Sequence, residues 1–233
     1  LLLTSNTFNN ATYSWTGPNG FSSNLQNPVI PSVALSDSGN YNVVATVNGC
    51  ISDTGLTQVI IHPIPATPAP ISNGPICDGE DLNLSTPAVT GATYNWTGPN
   101  GFSSTDQNPT ISAATTLAAG DYFVTVTANN CASDSGMVSV VVNPIPVAPT
   151  ASNNGPLCDG DDLQLNATGN ASSTYAWSGP ASYSSADQNP TIVGITTANA
   201  GNYDVTVTEN GCTSPPGSTT VSYTHLTLPT NGC

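Results

Sequence analysis

The chain contains no lysine and no arginine. Against that absence stand 14 aspartates and glutamates, for a formal net charge of −14. Without cationic side chains, nucleic-acid phosphates cannot be neutralised, and an anionic membrane surface has nothing to attract. Composition also excludes a Schiff-base lysine, a Lys–Asn isopeptide cross-link and any salt bridge to lysine or arginine. Stability must come from burial, backbone hydrogen bonds and disulfides. Trypsin-like proteases find no cleavage site, which suits an exposed surface protein.

Charged residues make up only 6% of the chain, against about a quarter in average soluble proteins. Yet 37% of residues are apolar, and they fall in alternating runs, so packed domains are expected rather than a solvated coil. No apolar run approaches the roughly 18 residues of a membrane span, and no signal peptide is recognisable, which we read as truncation. Helical apolar periodicity is missing throughout. So are a glycine-rich phosphate loop and any C-x-x-C motif. The two histidines, His62 and His225, occupy a linker and the C-terminal tail, so no histidine-based triad or general base recurs with the domains. Asp37, Asp106 and Asp187 are isolated on turns. No catalytic residue and no organic cofactor is expected.

What is present is a repeat. Trp15, Trp96 and Trp177 recur at a constant step in the numbering, and Tyr41, Tyr122 and Tyr203 recur at the same step. Gly39, Gly120 and Gly201 keep it, as do Cys50, Cys131 and Cys212, and the QNP triplets at Gln26, Gln107 and Gln188. Cys77 and Cys158 also match, whereas their counterpart in copy one would precede Leu1. The proline-rich stretches from His62 and Asn143 read as semi-rigid polyproline-II spacers. The expected domains are 1–65 (truncated at its start), 66–146 and 147–221. Residues 222–233 leave the repeat and resemble translated sequencing-adapter read-through; the alternative is a divergent natural terminus.

Within copy two, strands are expected over 81–85, 92–98, 109–113, 121–131 and 137–144. Leu82, Leu84, Tyr94, Trp96, Tyr122, Val124 and Val126 should point inward, and Phe123 outward. The Asn/Gly pairs before Cys50, Cys131 and Cys212 read as hairpin turns that need positive φ. Six or seven short strands in about 80 residues is the pattern of an all-β sandwich.

A tryptophan in the third strand, followed by G-x-Y opening a late alternating strand, resembles the immunoglobulin fold. The resemblance makes Tyr41, Tyr122 and Tyr203 the tyrosine corners, and Trp15, Trp96 and Trp177 the core tryptophans. The family's inter-sheet disulfide is lost, because Val43, Val124 and Val205 stand where its second cysteine would be. More narrowly, the run NGPICDGEDLNL … TYNWTGPNGFSSTDQNPTI … AGDYFVTVTANNC resembles the tandem Ig-like and PKD-like modules of large secreted adhesin-type proteins in Bacteroidota-type bacteria. That implies an extracellular or cell-surface location.

Six cysteines point to an oxidising compartment. Cys77 and Cys131 have the same spacing as Cys158 and Cys212, and the repetition suggests those pairs. Cys50 would then need a partner upstream, and Cys233 lies in the tail. The rival readings, metal ligation or a redox pair, lack histidines near the repeat cysteines. Two acidic clusters, Asp78, Glu80 and Asp81, then Asp159, Asp161 and Asp162, offer oxygen ligands for calcium. The plainer reading is a polar turn capping the start of a strand.

Tyr94 with Trp96 could form a sugar-stacking platform, but the fold needs that tryptophan inside. Phe21, Phe102, Tyr183 and Phe123 are better exposed candidates, or else local packing. Sequons occur at Asn10, Asn83, Asn95, Asn166 and Asn170, and matter only in a eukaryotic source. The expected function is a non-catalytic structural stalk or spacer of an adhesin-like protein. The alternatives are a glycan- or protein-binding module, a filament subunit self-associating through edge strands, and an accessory region of a secreted hydrolase.

Overall fold

The computed structural model describes residues 1–169 and 172–223. The sequon residue Asn170, His225, Cys233 and the tail beyond Tyr223 lie outside the described residues. Among the described residues every regular element is a β-strand or a single 3-10 turn.

Two strands carry each copy. The Trp strand spans Thr12–Thr16, Thr93–Thr97 and Thr174–Gly179 in copies one, two and three. The Tyr strand spans Gly39–Val47, Gly120–Ala128 and Gly201–Glu209. The two pair antiparallel, with Trp15 opposite Val43 and Trp177 opposite Val205. A closing strand, Gly55–Val59, Gly136–Val140 or Gly217–Val221, extends the sheet along the other side of the Tyr strand. A strand of two or three residues, Ser22–Ser23, Ser103–Ser104 or Tyr183–Ser185, forms the opposite edge. The same order recurs in all three copies.

The facing sheet is smaller. In copy two it runs Ile71–Ser72, Leu82–Ser85, Thr110–Ile111, and in copy three Ala151–Asn153, Leu163–Ala167, Thr191–Ile192. In copy one a single Leu2–Val29 bridge stands in that place.

Strand alternation sorts the side chains. Along the Tyr strand of copy two, Tyr122, Val124 and Val126 are buried while Phe123 faces out. In copy three Leu163, Leu165, Tyr175, Trp177, Tyr203, Val205 and Val207 meet in one core between the sheets. Each such side chain contributes about 1.5–3 kcal/mol on leaving water. Copy one holds a smaller cluster of Leu3, Tyr13, Trp15, Tyr41 and Ala45.

The hairpin after each Tyr strand needs two successive residues at positive φ, the geometry whose twist matches the strands. Asn48, Asn129 and Asn210 supply the first at 49°, and Gly49, Asn130 and Gly211 supply the second. These are the positions the Asn/Gly pairs mark in the sequence.

Packing divides the chain into two compact units. One comprises residues 1–68, 88–94 and 125–135; the other 69–87, 95–124 and the described residues from 136 onward. The repeats follow strand order and the units follow packing, so the division at 65 and 146 and the division into units are different descriptions of the chain. In the first unit, the hairpin of copy two lies against the end of copy one: the Cys131 thiol is 3.8 Å from the His62 carbonyl oxygen.

Candidate functional site

Side-chain hydrogen bonds repeat as faithfully as the strands. The hydroxyls of Tyr41, Tyr122 and Tyr203 donate to the carbonyls of Asp37, Ala118 and Asn199, each four residues upstream, at 2.8, 2.8 and 3.0 Å. All three rings are fully buried. Burial pushes their pKa values above the ordinary tyrosine value, and the neighbouring Asp37 charge adds to this for Tyr41. Phe21, Phe102 and Tyr183 stack edge-on against these rings with centroids 5.5, 5.4 and 5.6 Å apart. Each of these partly buried rings is thus engaged in local packing against its tyrosine. Trp15, Trp96 and Trp177 are at most 2% exposed, which closes them to a sugar.

The QNP triplet is a clamp, a role the sequence left unassigned. Gln107 Nε2 donates to the Thr86 carbonyl at 2.8 Å, and Asn108 Oδ1 accepts the Thr86 amide at 3.2 Å. Gln188 and Asn189 do the same for Ala167, at 2.9 and 3.1 Å. The triplet also offers its glutamine carbonyl to the indole: Trp15 and Trp177 donate to Gln26 and Gln188, each at 3.3 Å. A second unassigned signal is the serine two places after each repeat cysteine. Ser52, Ser133 and Ser214 accept the amides of Ala45, Val126 and Val207 at 3.0 Å, and donate onward to the carbonyls of Asp53, Asp134 and Pro215.

The acidic clusters work as caps. Glu80 accepts the Cys77 amide at 2.8 Å, Asp78 that of Thr116 at 3.0 Å, and Asp81 that of Ala113 at 2.8 Å. In copy three, Asp161 accepts from Cys158 at 2.7 Å and Asp162 from Gly194 at 3.0 Å. Asp159 pairs with the Tyr223 hydroxyl, whose pKa is pushed up to about 12 by desolvation and by that carboxylate. Among the described residues no three His, Cys, Asp or Glu side chains gather into a metal-binding group.

The disulfide corrects the expected pairing. Cys77 is bonded to Cys212, 135 residues away, and therefore neither to Cys131 nor does Cys212 bond Cys158. The repeat fits a partner within the same copy and equally the equivalent cysteine one whole copy further on, and the fold selects the longer span. The Ile76–Cys77 strand pairs in parallel with Val142–Asn143 at the end of copy two. Asn143 in turn donates to the Asn210 carbonyl in the hairpin of copy three at 3.1 Å. Cys77 thus sits beside the exit of its own copy, facing the hairpin of the next. Cys212 Sγ lies 3.9 Å from the Asn143 carbonyl, and Cys50 and Cys131 are free thiols.

Copy one differs along its closing strand. A groove of about 260 Å³ runs between Ser5, Tyr13, Val43, Ala45, Ser52 and Gly55. In copy three the linker fills the equivalent place: the Pro149 carbonyl occupies the space a side chain on Gly217 would need. Val205 is fully buried there, whereas its counterpart Val43 is only partly so.

A family model described as an Ig-like domain, CHU_C associated, matches residues 65–144. Copy two is thus matched as an Ig-like domain, and copies one and three repeat the strand order of its larger sheet. Among solved structures, extracellular domains 3–5 of Drosophila OTK are 14% identical with a TM-score of 0.41, over 93% of this chain and 86% of that one. Three N-terminal domains of the Hoc outer capsid protein of bacteriophage RB49 are 15% identical with a TM-score of 0.41, over 93% and 89%. A structure of titin domains is 13% identical with a TM-score of 0.41, over 95% and 92%. No curated protein matches the chain. No helix among the described residues is long and apolar enough to cross a membrane.

Proposed function

We propose that this chain is a non-catalytic spacer from an extracellular or cell-surface protein of adhesin type, in which Ig-like domains of one repeat each follow one another and hold a distal part away from the cell. The observation that carries the reading is the Cys77–Cys212 bond, which ties the start of one copy to the hairpin of the next. A bond between successive copies limits hinge motion at the linker, as a spacer requires. An oxidising compartment, in which such a bond persists, and a chain without trypsin sites support that location.

The edges beside the Trp strands weigh against a filament joined on that side. A long unpaired edge is what recruits another chain. Here the edges beside the Trp strand span two or three residues. The acidic clusters are read as caps, because five of their six carboxylates accept a backbone amide.

Small-angle scattering of the whole chain tests the proposal. A spacer gives an elongated particle whose length does not change with concentration. Growth in length with concentration indicates a filament and overturns the reading. Strong signals on a glycan array favour a binding module instead.

A further inference from the structure

We propose that the inter-repeat bond is a recurring device, and that Cys131 is its next acceptor: a cysteine in the Cys77 position of another repeat, seated on copy one, bonds Cys131. The inference deepens the spacer reading and rests on it for its purpose, but on separate observations for its chemistry.

The first observation is an internal comparison. Cys131 and Cys212 are equivalent by the repeat and sit alike at the start of the hairpin return strand. Cys212 Sγ is 3.9 Å from the carbonyl of Asn143, and Cys131 Sγ is 3.8 Å from that of His62, the equivalent of Asn143 one repeat earlier. The bonded and the free cysteine therefore occupy the same setting against the linker. Cys131 is partly accessible and carries a free thiol.

The second observation is the groove on copy one. Its lining includes Gly55, the equivalent of Gly217, which the linker covers at Pro149 in copy three. A segment like Ala66–Asp81 fits there by register, since Leu1 and Leu3 stand where Leu82 and Leu84 stand in copy two. A strand so placed sets its cysteine beside the end of copy one, as Ile76–Cys77 sits beside Val142–Asn143.

The step is a thiol oxidation. Two thiols join as one disulfide, and their two electrons and two protons pass to a small disulfide such as oxidised glutathione, which leaves as two glutathione thiols. Each repeat then gives its strand-start cysteine forward and receives at its hairpin from the copy before.

The test lengthens the whole chain at Leu1 with the sequence of Ala66–Asp81 and oxidises it with glutathione disulfide. Cleavage before aspartates puts the added cysteine, Cys50, Cys77, Cys131 and Cys158 on different peptides, with Cys212 and Cys233 together on a sixth. The added cysteine should appear linked to Cys131, with iodoacetamide labelling of Cys131 reduced at least tenfold, and Cys50→Ser should leave that link intact. Linkage to Cys50, or undiminished labelling of Cys131, overturns the proposal. On the chain without the extension, a synthetic Ala66–Asp81 peptide supplied as its glutathione mixed disulfide should capture Cys131 at least tenfold over Cys50. Equal capture overturns it as well. The bond can fail in these assays while scattering still reports an elongated, non-associating particle, so this inference and the spacer reading fail separately.

Discussion

Gly98 illustrates how tightly single residues are held. A methyl group there would overlap Cδ1 of Tyr122 and lie 2.6 Å from its Cε1; Gly17 and Gly179 face Tyr41 and Tyr203 in the same way. The backbone at Gly98 is extended, so any residue could adopt it; the restriction is space alone. Gly98→Ala should lower the stability of copy two by about 2 kcal/mol through overpacking, read as a lower thermal midpoint. Copy three offers the opposite case. Where copies one and two have Asn-Gly, it has Ala181 and Ser182, both at positive φ (56° and 59°). L-residues pay about 1–2 kcal/mol each in that region. The double change Ala181→Asn with Ser182→Gly should therefore stabilise copy three by about 1 kcal/mol or more in a denaturant titration. The buried tyrosines add a pH dependence. Their pKa values are raised in the fold above an unfolded value near 10. The neutral form is favoured on folding, so this stability is whole below about pH 10 and is lost as pH climbs through the raised values. Thermal midpoints should hold level up to that point and then fall, in step with tyrosinate absorbance. A profile that stays flat while the tyrosines ionise would contradict the assignment.

At the scale of elements, legibility depends on whether a role lives within a strand or between strands. The Trp and Tyr strands can be read because inward residues alternate and the repeat step marks them. The hairpins can be read because only Asn and Gly accept two positive φ angles cheaply. Two-residue strands such as Ser103–Ser104 and Ile76–Cys77 are too short to show a period. The QNP clamp is visible as a triplet but not as a role, because its partner, Thr86, lies 21 residues from Gln107. Gln107→Ala removes the side-chain donor to the buried Thr86 carbonyl, at a cost of about 1–2 kcal/mol. Hydrogen exchange should then quicken along Leu82–Ser85 while the Tyr strand of copy three stays unchanged.

For the whole molecule, the architecture of tandem immunoglobulin-like sandwiches can be read from the repeat, whereas the cysteine pairing cannot. Periodicity says which cysteines are equivalent and is silent on whether a bond stays inside a copy or crosses to the next. The parallel pairing of Ile76–Cys77 with Val142–Asn143 makes that choice, and no local pattern announces it. In the chain-entropy description, a closed loop of this span is worth roughly 5 kcal/mol, which joins the folding of copies two and three. The direct measurement is a disulfide map of the unreduced Cys233→Ser chain after cleavage before aspartates, which places Cys50, Cys77, Cys131, Cys158 and Cys212 on five different peptides. The account predicts a linked pair containing Cys77 and Cys212, with Cys131 open to alkylation. A pair containing Cys77 and Cys131 would contradict it.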